Sequence, residues 1–166
     1  MNALIPTTGA TPSAQPQASL KLQIGRYWTI PVKTAEEASR AWAFFREALN
    51  LGGSESPHVL LKHGHLTVGY VSYNGRIWKG RPTDPVKVQN ARKPIAEAAD
   101  TRDGLRVGDW LPVEDMLEDR FHLGKVVRTY PDKQAISLDL ADGTRLYLQA
   151  NKLHDRYFTS FSKVAQ

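Results

Sequence analysis

The chain has 166 residues, 41% of them hydrophobic and 23% charged, with a formal net charge of +5. That length suits one ordinary domain or two small ones with packed cores, and the modest basic excess favours anionic partners. The absence of cysteine excludes disulfide scaffolds, thiolate zinc sites and thiol nucleophiles, and fits a reducing, cytoplasmic setting.

Residues 1–19, MNALIPTTGATPSAQPQAS, carry no charged side chain and are rich in Pro, Thr, Ala and Gln. Such a stretch buries too little apolar surface to offset its ordering, so a disordered tail is predicted. It has neither the basic n-region nor the apolar h-region of a secretory signal. No run of about 18 apolar residues is present, so no membrane-spanning helix is expected.

Structure is expected from Leu20. LKLQIGRYWTIPV alternates and is rich in β-formers, with Pro31 marking an edge or an end. Thr34 and Glu37 make a capping-box pattern. Ala38, Ala41, Trp42, Phe45, Ala48 and Leu49 then recur at helical spacing until Gly52-Gly53 stops the helix. HVLLKHGHLTV predicts two strands meeting near His63-Gly64. Asn74-Gly75 predicts a two-residue type I′ hairpin. In that register Tyr73 faces Arg76, Ser72 faces Ile77 and Val71 faces Trp78. Residues 20–80 therefore read as an α+β unit of order β-α-β-β-β.

Residues 81–103 hold three prolines and read as a basic linker, with a short helix expected after Pro94. From Gly104 the pattern is β again. GLRVGDWLPV bends at Gly108, and FHLGKVVRTY, QAISLDL and GTRLYLQ follow, separated by turns at Pro131-Asp132 and Asp142-Gly143. ANKL reads as a helical turn and RYFTSF as a closing strand. The pattern V-G-D-W, G-K-V-V-R, A-D-G-T-R-L over residues 104–159 resembles the SH3-like small β-barrel. That resemblance implies a barrel over residues 104–166 and no single activity. VSYNGRIW is similar to a signature of small proteins from plasmids, integrative elements and phages, which implies a mobile-element accessory protein.

The charge is uneven. Residues 20–84 hold nine Lys/Arg and five Asp/Glu, while residues 85–166 hold thirteen and twelve. Arg76, Lys79, Arg81, Lys87, Arg92 and Lys93 face a single acid, Asp84, between positions 76 and 93. With Tyr73 and Trp78 as stacking groups, and Lys21 or Arg26 if they share the face, this strip is the candidate nucleic-acid contact. The competing account packs Val71 and Trp78 on the helix and leaves the cations as a solvated rim. Glu114, Asp115, Glu118 and Asp119 give the opposite sign, in what reads as a solvated loop with a helical turn around Met116-Leu117; the competing account has it bind a basic partner or mimic nucleic acid.

No catalytic pattern is present. His63 and His65 lie two apart, but no H-E-x-x-H or facial-triad spacing occurs, and no metal or cofactor is implied. GGSESPH is not a nucleophile elbow, and no phosphate-binding glycine loop appears. The expectation is a non-catalytic protein that binds DNA or RNA through the hairpin and linker strip. The alternative is an adaptor or inhibitor, anti-defence proteins included, that binds a host or element-encoded protein through barrel loops.

Overall fold

The computed structural model describes residues 19–81, 93–115, 120–149 and 160–161. The expected tail up to residue 18, Lys87, Arg92, residues 116–119 of the acidic loop and the ANKL turn lie outside the described residues, whereas Glu114 and Asp115, expected in that loop, end a strand instead. The architecture is α+β: one helix and two sheets, with the strands of each sheet antiparallel except where the final short strand joins.

LKLQIGRYWTIPV forms two strands rather than one. β1 (Leu20–Ile24) and β2 (Trp28–Pro31) pair antiparallel across a turn at Gly25. Gly25 adopts φ +58°, open to glycine, and its N–H donates to His58 O at 2.8 Å. The first unit is therefore ββαβββ. Its helix α1 (Ala35–Ala48) begins as the capping box requires, with the Thr34 hydroxyl accepting from Glu37 N at 3.1 Å. The Glu37 carboxylate reaches back to Lys33 N at 2.7 Å. The helix ends before the glycine pair. Asn50 takes the left-handed position at φ 49°, and Asn50 N and Leu51 N bond to Glu47 O and Arg46 O. That is a Schellman closure made by asparagine.

β3 (Val59–His63), β4 (Leu66–Val71) and β5 (Ile77–Lys79) complete a five-stranded sheet of order β2-β1-β3-β4-β5. The hairpin register is one residue off the type I′ expectation. Val71 pairs with Ile77 and Tyr70 with Trp78, and Ser72 N donates to Arg76 O at 2.9 Å. The loop is thus three residues, Tyr73-Asn74-Gly75, with Gly75 at φ 95°. The reason lies in the core. This register puts both Val71 and Ile77 inward with Leu22, Ile24, Ile30, Trp42 and Phe45, whereas the type I′ register exposes Ile77.

No helix follows Pro94. Ile95 and Ala96 lie extended along β5, with Ile95 N donating to Ile77 O at 2.7 Å and Ile77 N to Ala96 O at 2.9 Å. An otherwise open sheet edge is covered, and Ala96 joins the first core. Next, the buried Ser39 hydroxyl binds Gly75 O, Glu97 O and Ala99 N at 2.8–3.1 Å, tying hairpin and connector to the helix.

β6 (Trp110–Asp115), β7 (Arg120–Tyr130), β8 (Ala135–Leu140) and β9 (Arg145–Gln149) form an antiparallel sheet in sequential order. A 3₁₀ turn at Pro131–Lys133 links β7 to β8, and β10 (Ser160–Phe161) pairs parallel to β6. Leu111, Val113, Val126, Ile136, Leu138, Leu140, Leu146 and Leu148 form its core together with Ala48 of α1. Trp110 and Leu123 pack on the first core instead. Helix α1 therefore serves both sheets, which explains why Ala38, Ala41, Trp42, Ala43, Phe44, Phe45 and Ala48 are all buried.

Candidate nucleic-acid interface

The described part of the predicted hairpin strip divides at β5. Side chains alternate along a strand, so Arg76 and Lys79, three apart, leave opposite faces of the sheet. Arg76 Nε donates to Glu97 at 3.0 Å, a carboxylate brought in by the connector. Tyr73 is 45% exposed and anchored at both ends: its hydroxyl donates to Leu51 O at 3.2 Å and the Arg46 guanidinium sits 5.0 Å from its ring centroid. Its carbonyl accepts from Trp42 Nε1 and from Arg46. Trp78 is half-buried on the outer face, with Nε1 donating to Ser72 Oγ at 3.2 Å. Arg81 and Lys93 are exposed, and Lys87 and Arg92 lie outside the described residues. Of the two helpers, Arg26 is in the β1–β2 turn and Lys21 is on the outer face of the first sheet, directly opposite Lys62. Like charges so paired repel one another.

A more coherent basic surface occurs on the outer face of the second sheet. The register lines up Trp110, Lys125, Asp139 and Arg145 in one row, Arg128, Ser137 and Tyr147 in the next, and Tyr130, Ala135 and Gln149 in the third. Lys125 and Arg128, being three apart, would point to opposite faces of a regular strand. A β-bulge between Val126 and Arg128 shifts the alternation, so Arg128 and Tyr130 join Lys125 outside while Val126 stays in the core.

The side chains on this face are mutually supported. The rings of Tyr130 and Tyr147 meet edge to face, with centroids 5.5 Å apart. The Arg128 guanidinium lies 4.9 Å from the Tyr130 centroid. Tyr147 remains 48% exposed, although it sits between core residues Leu146 and Leu148. Arg145 binds Asp139 through Nε at 2.6 Å and Nη2 at 2.9 Å, which holds the Asp139 carboxyl below its ordinary range and raises the guanidinium. The Tyr130 hydroxyl is pulled below its usual value, chiefly by the hydrogen bond from Ser137 and further by Arg128. Asp139 is already neutralised by Arg145, so Lys125 and Arg128 give these three rows their net positive sign; the adjoining 3₁₀ turn carries Lys133 beside Asp132, and Glu114 shares the face toward the end of β6. Chemically the surface offers cations for phosphates and a supported aromatic edge for a base.

Sequence reasoning missed these residues. The exposed set Arg145, Tyr147, Gln149 is readable from its alternation with Leu146 and Leu148. The bulge that recruits Arg128 and Tyr130 has no comparable signal.

Among the described residues, no three His, Asp or Glu side chains gather as metal ligands, and no helix is long and apolar enough to cross a membrane. His63 ends β3, His65 lies in the β3–β4 turn and His154 lies outside the described residues. Compared with known proteins, the chain matches no family model, no curated protein and no solved structure.

Proposed function

We propose that the protein is a non-catalytic nucleic-acid-binding protein whose contact surface is the outer face of the second sheet. One observation carries this reading: the bulge in β7 aligns Arg128 and Tyr130 with Lys125, Tyr147 and Arg145 in three adjacent rows of one sheet face, whose one carboxylate among the described residues, Asp139, is already paired, while Glu114 lies farther along β6. An aromatic edge among cations suits single-stranded DNA or RNA, because every base has a π-face and every linkage a charge. The hairpin segment is left a secondary role through Arg81 and Lys93. In the same reading the second sheet is an SH3-like small barrel, supported by the sequential order of β6 to β9 and the return of β10 beside β6. VSYNGRIW supports a mobile-element setting.

The test is fluorescence anisotropy with labelled single-stranded DNA and RNA over a salt series. Three phosphate contacts give a log–log salt slope of about −2 for single strands. Arg128→Ser lowers the slope by about 0.7. Tyr147→Ala costs about 1–3 kcal/mol of binding, the range of one base stack. Affinity that ignores both changes but falls when Arg81 and Lys93 become Ser returns the contact to the connector. No binding to either polymer at about 50 mM salt rejects the proposal.

A further inference from the structure

A cleft of about 450 Å3 opens between the first sheet's edge and the start of the second. One wall comes from Pro31–Lys33 and the first turns of α1, and the other from Arg106–Trp110 and Lys125. Its size falls within the range of about 300–1,000 Å3 typical of small-molecule sites.

The charges in this cleft are unevenly satisfied. Four cations line it, Lys33, Arg40, Arg106 and Lys125, against two carboxylates, Glu37 and Asp109. Both carboxylates already accept bonds from the fold. Glu37 takes Lys33 N at 2.7 Å, while Asp109 takes Arg40 Nε and Nη2 at 2.7 and 2.8 Å and Arg106 N at 2.6 Å. Arg40 is saturated once its bonds to Asp100 O, Asp103 and Gly104 O are added, and Arg106 is paired with Asp103. The Lys33 and Lys125 ammonium groups, by contrast, meet no carboxylate among the described residues, and Lys125 Nζ lies 5.9 Å from the Trp110 ring centroid. Two cations without a carboxylate partner and an indole therefore line one concave site. A cation is repelled there. A simple anion uses the lysines but makes no use of the exposed Val107 or of the part of Trp110 that lines the cleft.

We infer that this cleft binds a planar-ring anion of mononucleotide size, with the phosphate between Lys33 and Lys125 and the ring against Trp110. The inference stands on the cleft, which shares Lys125 and Trp110 with the first row of the sheet face proposed above but none of Arg128, Tyr130, Arg145 and Tyr147. Such a ligand arrives either as a free nucleotide or as the end of a strand lying on that face.

The experiment titrates the full ¹⁵N-labelled chain with adenosine 5′-monophosphate, adenosine and inorganic phosphate, following the four tryptophan indole N–H signals. The monophosphate is expected to move the Trp110 signal saturably and leave Trp42 in place. Adenosine and phosphate bind at least about tenfold more weakly, because each lacks half of the recognition. Lys33→Ser weakens the monophosphate about fivefold, whereas Arg128→Ser leaves it unchanged. A Trp110 signal that does not move at about 10 mM monophosphate overturns the inference. So does a response that survives a Lys33→Ser/Lys125→Ser double change, or one that phosphate alone reproduces. An oligonucleotide arm separates the two readings. Oligonucleotide binding without a monophosphate response removes the cleft and keeps the sheet face, and the converse removes the sheet face and keeps the cleft. A 5′-phosphorylated oligonucleotide that moves Trp110 more strongly than the free monophosphate identifies a strand end as the occupant.

Discussion

Replacing Arg40 by Met tests how the two sheets are held together. The guanidinium makes five bonds from the middle of α1 to the segment entering the second sheet. Two go to the Asp109 carboxylate at 2.7 and 2.8 Å, one to Gly104 O at 2.7 Å, one to Asp100 O at 3.2 Å and one to Asp103 at 3.4 Å. The Arg40 and Asp109 side chains are 15% and 9% exposed, so this pair is largely shielded from water. Met keeps the aliphatic stem but leaves Asp109 with only the Arg106 N–H, and two backbone carbonyls lose a donor. Removing one partner of a shielded ion pair costs about 3–5 kcal/mol. The retained Arg106 bond and the exposed Asp103 contact argue for the lower end, about 3 kcal/mol. Urea unfolding followed by tryptophan fluorescence reads the loss. With a slope of about 1–3 kcal/mol per molar urea, the midpoint falls by about 1–3 M. Pairing the change with Asp109→Leu removes the stranded charge and is expected to restore most of the stability. A single-variant loss below about 1 kcal/mol, the worth of an exposed pair, refutes the reasoning, and so does a double variant no more stable than the single.

Gly69 tests the first sheet. A Cβ there would stand 2.6 Å from Trp78 O, a backbone atom, so Gly69→Ala pushes β4 and β5 apart; a loss of about 1–3 kcal/mol is expected, with faster amide exchange at Ile77. An unchanged melting temperature contradicts that packing. Ser39→Ala leaves Ala99 N and Gly75 O without their buried partner and is expected to cost about 1–3 kcal/mol, whereas Ser39→Thr retains the hydroxyl. Equal losses in the two variants mean that shape rather than hydrogen bonding sets the requirement. Asp100 is held at about 2 by the hydrogen bonds from the Arg102 side chain and backbone N–H. Because its folded value lies below the ordinary one of about 3.9, its stabilising contribution is complete above about pH 4 and is lost as pH falls through about 2. Arg102→Ala is expected to raise the NMR titration midpoint of that carboxyl toward the ordinary range, and a midpoint that stays near 2 contradicts the assignment.

Local chemistry was legible in the sequence wherever one interaction decides the outcome. The Thr34 cap, the apolar stripe of α1, the turn at His63-Gly64 and the order of β6 to β9 all follow from patterns within a few residues. The misjudged features depend on partners far along the chain. Asn74-Gly75 fits a two-residue and a three-residue loop alike, and the choice between them is made by the need to bury Val71 together with Ile77. Pro94 opens no helix because the free edge of β5 takes Ile95 and Ala96 as an extended partner. Arg76 reads as a free cation until that same connector delivers Glu97. The sheet face was hidden more deeply. K-V-V-R-T-Y suggests two cations on opposite faces, and only the pairing of β7 with β8 fixes a bulge that brings them together.

The same geometry separates the two candidate sites energetically. The rows of the proposed nucleic-acid face are joined by backbone pairing of β7, β8 and β9, and α1 reaches this sheet's core through Ala48, eight residues from Arg40, so the side chains keep their spacing when the Arg40–Asp109 pair is lost. The cleft has no such insurance. Lys33 precedes α1 while Trp110 and Lys125 belong to the second sheet, and the Arg40–Asp109 pair lies in its wall. A variant that still folds but lacks this pair should loosen one site and spare the other. Arg40→Met, measured well below its unfolding midpoint, is expected to keep oligonucleotide affinity within about twofold while weakening the monophosphate by about tenfold. Equal weakening of both ligands means that the sheet face also depends on the helix, and the two surfaces then act as one site.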